Sequence, residues 1–162
     1  YLKKPVEKKD LEKIIEAAIL APSWKNSQVT RYYVVQSDDM LQQVKQCLPE
    51  FNQNNVKDAP ILIISTIILN RSGYERNGEA CNELENGWGY YDCGLHNRNL
   101  ILKATELGLS TLIMGIRDAK KISELLNIPV SESIVSVIGV GYQDIEPSMP
   151  KRKTVEEITK FY

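Results

Sequence analysis

The stretch APILIISTIIL, residues 59–69, decides the fold of this chain of 162 residues. Its apolar residues do not alternate with polar ones, which is typical of a strand that is covered on both faces, as in the middle of a sheet with helices on each side. The stretch is about half as long as a bilayer-spanning helix needs to be. It therefore predicts a buried central strand in a protein built of layered helices and strands.

The residues that precede this strand predict a helix, a strand and a second helix, in that order. Apolar residues recur at helical spacing from Asp10 up to Pro22, which ends the first helix. The aromatic and β-branched residues 31–36 predict a strand. A second amphipathic helix is predicted over residues 38–48, closed by Pro49.

The C-terminal side begins with a polar connection, residues 70–85, whose length makes it a candidate mobile or functional loop. A long helix is predicted over residues 89–107, with Gly108 as its left-handed cap. The apolar residues of this helix are spread over more than one face, so it needs partners on several sides.

Two further strands are predicted over residues 111–116 and 134–142, with a helix over residues 118–126 between them. The stretch TVEE contains a capping box that predicts a short helix over residues 154–160. Helices and strands thus alternate, which indicates an α/β or α+β class.

Composition narrows the class of protein. Hydrophobic residues make up 43% of the chain, charged residues 25%, and the formal net charge is -1, as in soluble globular proteins. These values favour neither nucleic acid nor a membrane as a partner. The length suits one hydrophobic core, so we expect a single domain over residues 1–162. Cys47, Cys81 and Cys93 lack CxxC spacing and follow no signal peptide, which predicts reduced thiols in a cytoplasmic protein.

A first candidate site is the segment APSWKNSQ, residues 21–28, between the first helix and the first strand. Ser23, Asn26 and Gln28 bring a hydroxyl and two amides into one short loop, and these groups can donate to and accept from a flat heterocycle. A helix stop followed by a polar turn has the same composition. The residues alone leave both interpretations open.

The ordered set of motifs resembles the nitroreductase family. APSWKNSQ followed by RYYVV is similar to the family's APSxxNxQ segment and first strand, and DCGLHNRNLILKATELGLST is similar to its stretch of D-x-G, N-L and A-x-x-x-G-L. LIMGI, LLNIP, VIGVGY and KRKTVEEI match its later landmarks in the same order. The resemblance covers the chain from Lys3 to Ile158, and the order of the set is what makes it specific.

The resemblance implies an α+β fold with α/β-like layering, in which helices wrap a central, mostly antiparallel mixed sheet. It also implies a homodimer that holds FMN between its subunits and is reduced by NADH or NADPH. The positions that match FMN-contacting residues of the family are Ser23, Asn26 and Gln28 near the ring and ribityl chain, Met114 and Gly115 near the ring nitrogen N5, and Lys151 and Arg152 at the phosphate.

The phosphate role of Arg152 has a physical reason, because a planar guanidinium can donate two parallel hydrogen bonds to a phosphate. The alternative for residues 151–153, KRK, is a solvated basic stretch before a terminal helix.

The chain departs from the family pattern in two places. The family's R-x-S-x-R segment, whose arginines contact the phosphate, would precede Tyr1, so we expect that the chain lacks a short N-terminal segment. A natural protein without that segment would bind FMN more weakly. Trp24 and Lys25 stand where small residues are common in the family, which leaves the substrate class open.

The activity implied by the resemblance is NAD(P)H-dependent reduction of nitroaromatics, quinones or similar small electrophiles in a two-step exchange, with hydride passing through N5 of FMN. Such chemistry requires no catalytic acid from the protein, so we predict no catalytic side chain. The alternatives are a flavin-dependent dehydrogenase or dehalogenase on the same scaffold, and an FMN-binding protein without turnover.

Other kinds of site have little support. GVGY lacks the third glycine of a dinucleotide-binding loop, because Asp144 stands there, and no P-loop motif occurs. Cys93 and His96 share a helical face, but a metal needs further ligands, and we expect Asp92 to lie on a different side of the turn. We therefore predict no metal site and a partly buried or interface histidine.

Overall fold

The centre of the computed structural model, which describes all residues 1–162, is a four-stranded sheet. Its strands are β1 (Thr30–Val35), β2 (Ile61–Ile68), β3 (Ser110–Met114) and β4 (Glu132–Gly141). They lie in the order β1-β2-β4-β3, and every neighbouring pair is antiparallel. The α+β class with a helix-wrapped, mostly antiparallel sheet is confirmed, and within this chain the sheet has no parallel pair.

Six helices surround the sheet or follow it. They are α1 (Lys8–Ile19), α2 (Asp38–Lys45), α3 (Glu50–Asn55), α4 (Gly87–Glu106), α5 (Ala119–Leu126) and α6 (Val155–Ile158). None of them is both long and apolar enough to cross a membrane.

Strand β2 is buried along nearly its whole length, as its unbroken apolar sequence predicts. Ile61 and Ile63 point into a core built with residues of α1 and α4. Leu62 and Ile64 point the other way, into a core built with residues of α2 and α5. Alternate residues of a strand face opposite sides, so an apolar side chain at every position serves both layers at once.

Local signals predicted the helix ends correctly at three places. Gly108 follows α4 with a φ of 74°, the left-handed conformation that glycine adopts without strain. The Asp118 side chain accepts a hydrogen bond from the backbone N–H of Lys121 and so caps α5. Thr154 and Glu157 form the reciprocal bonds of a capping box at the start of α6.

The sequence pattern is wrong about some helix boundaries. It extends α2 to Leu48 and the last helix to Lys160, whereas α2 ends at Lys45 and α6 at Ile158. The pattern also fails to predict α3, because Pro49 is interpreted as the end of the helix before it. In the structure Pro49 is the N-cap of α3, a position where the fixed φ of proline suits a helix start.

One end of the sheet gathers the segments that matter for the site. The start of β1, the end of β2 and the start of β4 lie there, and β3 runs towards this end and stops at Met114, opposite Val137. The loop before β1, the connection after β2 and the residues after Met114 therefore share this end. Residues 143–162 follow the last strand, and all of them are exposed.

Candidate functional site

The segment from Ser23 to Gln28, here called the 23–28 loop, is a compact turn. A 3-10 helix covers Trp24–Asn26. The backbone N–H of Asn26 donates to the Ser23 carbonyl over 3.0 Å, and the backbone N–H of Gln28 donates to the Ser23 hydroxyl oxygen over 3.0 Å. The structure thus brings Ser23, Asn26 and Gln28 together.

The backbone of the 23–28 loop is strained. Lys25, Asn26 and Gln28 adopt φ values of 45°, 54° and 49°. This left-handed region is uncommon for residues other than glycine, and of these three only asparagine visits it readily. Such strain persists only where the surroundings hold it, and it concentrates at binding and active sites.

The surroundings that hold the 23–28 loop centre on Asp92 in α4, whose residue is only 2% exposed. The backbone N–H of Trp24 donates to both Asp92 carboxylate oxygens, at 3.1 and 3.0 Å. The hydroxyl of Ser72, also buried, donates to the same carboxylate over 2.5 Å. Asp92 therefore joins the loop, the connection after β2 and α4. Sequence reasoning missed this role; an acidic residue among the buried positions of a helix is the signal for it.

The expected orientation of Asp92 relative to its neighbours is wrong. Asp92, Cys93 and His96 are all buried, and Asp92 precedes His96 by four residues, the spacing that places side chains on one helical face. The three do not form a set of ligands that could hold a metal ion. His96 is 4% exposed, and neither ring nitrogen has a hydrogen-bond partner. Burial lowers the pKa of His96, an effect that the Asp92 charge opposes.

An ion pair attaches the 23–28 loop to the connection after β2, and an aromatic contact attaches it to α4. The Lys25 ammonium binds the Glu75 carboxylate over 2.6 Å, and the Cys81 thiol contacts the same carboxylate over 3.3 Å. The Trp24 ring packs on the Trp88 ring at a centroid distance of 4.5 Å. The side chains that depart from the family pattern, Trp24 and Lys25, thus form the outer contacts of the loop.

The second group of predicted site residues lies at the end of β3. Met114 is buried, whereas Gly115 is exposed, and no atom lies within 4 Å of the place where a Cβ would stand at Gly115. The Gly115 carbonyl accepts a hydrogen bond from the Arg117 guanidinium over 2.6 Å. The backbone at Gly115 is therefore open to a ligand and fixed on one side by Arg117.

Met114 and the 23–28 loop adjoin opposite edge strands, and the register places Met114 level with Tyr33, three residues along β1 from Thr30. β1 and β3 are its two edge strands, with β2 and β4 between them. Three strand spacings correspond to about 14 Å. Within a single chain, the 23–28 loop and the end of β3 are therefore two separate groups of residues.

Lys151 and Arg152 form the third predicted group and lie in the exposed C-terminal segment. The Arg152 guanidinium donates to the Pro150 carbonyl over 3.1 Å, a local contact. No hydrogen bond joins either residue to the 23–28 loop or to Met114. Within one chain the structure does not bring the phosphate group of residues to the other two groups.

The fold is an antiparallel sheet wrapped by helices, with a strained polar loop at one end. The sequence assigns the chain to a family of proteins. The profile of the Nitroreductase family matches residues 1–142. The chain belongs to the nitroreductase family, as its motifs predict.

Relatives agree with this assignment. A protein of Archaeoglobus fulgidus, named as a candidate NADH dehydrogenase/NAD(P)H nitroreductase, is 27% identical over 146 residues, which cover 88% of this chain and 77% of that protein. The structure of a nitroreductase family protein from Streptococcus pneumoniae TIGR4 superposes with a TM-score of 0.86 at 25% identity, covering 100% of this chain and 93% of the other. The structure of an FMN-dependent nitroreductase from Clostridium difficile R20291 superposes with a TM-score of 0.79 at 26% identity, covering 99% and 91%.

Proposed function

We propose that this protein is an FMN-dependent NAD(P)H oxidoreductase that acts as a homodimer on nitroaromatics, quinones or similar small electrophiles. The observation that carries the proposal is the strained 23–28 loop, which presents polar side chains at the same end of the sheet as the open backbone of Gly115. The names of its relatives, which include FMN and NAD(P)H, support the same cofactors.

The donors and acceptors of the 23–28 loop fit the ring or ribityl chain of FMN. The Ser23 oxygen accepts from the Gln28 N–H, so its own O–H is left to donate. The side-chain amides of Asn26 and Gln28 are exposed and make no hydrogen bond within the chain. A ring with carbonyls and nitrogens can use all three groups.

The other predicted residues would complete the FMN site. Backbone groups at Met114 and Gly115 would lie against the ring, where the absence of a side chain at Gly115 permits close approach. Lys151 and Arg152 would hold the phosphate, with Arg152 as the bidentate partner. Bound FMN supplies hydride transfer between a reduced nicotinamide and the acceptor, while the chain binds and orients the reactants and excludes water.

A second copy of the chain would cover the site. Strands β1 and β3, which adjoin the two groups of predicted ring contacts, are about 14 Å apart across the sheet, and Asn26, Gln28 and Gly115 are solvent-exposed in a single chain. A bound cofactor is normally mostly buried. Helix α4 also exposes Tyr91 by 60% and Leu102 by 49%, apolar surface that suits a subunit interface. A dimeric mass by light scattering at micromolar concentration is the expected result, and a monomeric mass of the FMN-loaded protein would contradict this part.

The acceptor class depends on the segment from Asn70 to Asn86, here called the 70–86 connection, which contacts the 23–28 loop through Glu75. A dehydrogenase or dehalogenase on the same scaffold would share the FMN residues and differ in this connection. Profiling with nitroaromatics, quinones, halogenated aromatics and saturated carbonyl compounds separates these activities.

The compartment proposed is the cytoplasm. Cys47, Cys81 and Cys93 are all free in the structure, and two of them are buried. Unpaired thiols are typical of a reducing compartment.

The deciding experiment is anaerobic mixing of the FMN-loaded protein with NADH and, separately, NADPH in a stopped-flow instrument. Loss of the flavin absorption band with either donor, and its return on adding an acceptor, supports the enzyme. An unchanged spectrum with both donors would leave an FMN-binding protein without turnover. Failure of the protein to bind FMN at all would reject the proposal.

A further inference from the structure

We propose that Asp92 is a positioning residue for FMN, which acts by holding the backbone of the 23–28 loop in its strained conformation. The inference rests on the proposed function, because it assigns Asp92 to the loop that would contact the cofactor. It adds a residue outside the predicted FMN contacts.

The Asp92 carboxylate is placed to hold the start of the 3-10 helix in the 23–28 loop. Trp24 is the first residue of the 3-10 helix in the loop, and the first N–H groups of a helix have no partner within it. Both carboxylate oxygens accept from the Trp24 N–H. A negative acceptor makes such a bond stronger than a neutral one would, and burial removes water as a competitor.

Hydrogen bonds, rather than an ion pair, stabilise the buried carboxylate of Asp92. No lysine or arginine lies within salt-bridge distance of it, and its donors are the Trp24 N–H and the Ser72 hydroxyl. A buried carboxylate without a cation is costly to maintain. The carboxylate bonds to the 23–28 loop and to the 70–86 connection, which contact each other near the proposed site. This indicates that the buried carboxylate fixes these two segments relative to each other.

The Asp92 carboxylate is linked directly to the proposed FMN contacts. Ser23 precedes Trp24, and its hydroxyl oxygen and carbonyl accept from Gln28 and Asn26. Release of the Trp24 N–H would therefore allow the left-handed residues to relax and would move all three polar side chains together. The Trp24 ring would also leave the Trp88 ring, which gives the movement an optical signal.

The test compares Asp92→Ala, Asp92→Asn and the control Asn99→Ala. Asn99 makes a similar tether from the same helix, since its amide donates to the Ala17 carbonyl of α1 over 3.2 Å, but it does not touch the loop. Two quantities are measured: the Kd for FMN by fluorescence titration, and the exciton signal of the Trp24–Trp88 pair in the circular dichroism of the FMN-free protein.

Asp92→Ala is expected to raise the Kd for FMN by about tenfold or more and to abolish the exciton signal. Asp92→Asn keeps one oxygen for the Trp24 N–H and is expected to retain the signal and most of the affinity. Asn99→Ala is expected to lower the melting temperature without changing either quantity. Should Asp92→Ala fail to fold, Asp92→Ser replaces it, because serine is too short to reach Trp24.

Wild-type FMN affinity and an intact exciton signal in the Ala or Ser variant would overturn the proposal. A wild-type protein that does not bind FMN would instead reject the proposed function, and the exciton signal would still report whether Asp92 holds the loop. The two failures are therefore distinguishable.

Discussion

Lys25 and Glu75 form an ion pair of 2.6 Å that connects the 23–28 loop to the 70–86 connection, and the Cys81 thiol contacts the same carboxylate. Burial and the bond to Glu75 raise the pKa of Cys81, while the Lys25 charge opposes the increase. The negative charge of Glu75 disfavours a neighbouring thiolate, so its state controls the reactivity of this thiol.

Glu75→Gln should accordingly lower the Cys81 pKa and increase its rate of alkylation at a pH below that pKa. The rate is measured with iodoacetamide, and mass spectrometry separates Cys81 from the buried Cys47 and Cys93. Glu79→Gln is the matched control, because Glu79 is exposed in the same connection and its side chain bonds to Asn77. Equal rates for wild type and Glu75→Gln would show that the contact does not persist in solution.

Gly73 and Gly78 provide a matched pair for the role of the 70–86 connection. Both have left-handed φ values, 86° and 87°. A Cβ at Gly73 would lie 2.3 Å from the Glu85 carbonyl oxygen and 2.9 Å from the Trp88 ring, whereas a Cβ at Gly78 would meet nothing within 4 Å.

Gly78→Ala should therefore cost only the backbone strain, about 1 kcal/mol in the free energy of unfolding. Gly73→Ala adds a steric clash and should cost about 2 kcal/mol or more, with a loss of the Trp24–Trp88 exciton signal as Trp88 moves. Chemical denaturation gives both free energies. Similar values for the two variants would mean that the connection adapts freely around Gly73.

The pH dependence of stability should contain a contribution from His96, the only histidine of the chain. Burial lowers its pKa below the ordinary value of 6.5. At a pH below 6.5, the unfolded chain binds a proton at His96 that the folded protein excludes. The free energy of unfolding therefore falls as the pH drops from 6.5 towards the pKa of the folded protein. Above pH 6.5 this contribution to stability is fully retained. The ring-proton resonance of His96, followed by NMR, reports this pKa without overlap. A midpoint at or above 6.5 would contradict the buried, unpartnered ring.

Arg152→Ala should raise the Kd for FMN by roughly tenfold or more, because the proposed bidentate bond to the phosphate would be lost. Lys160→Ala, another exposed cation of the C-terminal segment, is the control for a general effect of charge. Fluorescence titration at one fixed salt concentration measures both. Unaltered affinity of the Arg152 variant would remove this residue from the phosphate site and leave the 23–28 loop assignment intact.

The elements that sequence reasoning predicted correctly are those with local signals. The unbroken apolar run of β2, the cap at Asp118 and the glycine after α4 each follow from neighbouring residues. The error at Pro49 has the same origin, since proline is compatible both with the end of one helix and with the start of the next.

The candidate site was predictable only in part. Ser23, Asn26 and Gln28 come together because they are close in sequence, and their assignment to the FMN site stays a prediction from the family resemblance. Asp92 was expected on a different side of the helix from His96, so its role in holding the 23–28 loop was not predicted. The spacing of four residues between Asp92 and His96 was nevertheless available in the sequence.

The sequence by itself determined the family and through it the class of fold, together with the order of the strands and of every α-helix except α3, because hydrophobic periodicity, caps and motifs are properties of short segments. Only the tertiary structure decided that the Asp92 carboxylate holds Trp24, 68 positions away, and that the 23–28 loop and Met114 lie at opposite edges of one sheet. Those relationships depend on strand order and register, which bring distant segments together and which no local pattern specifies.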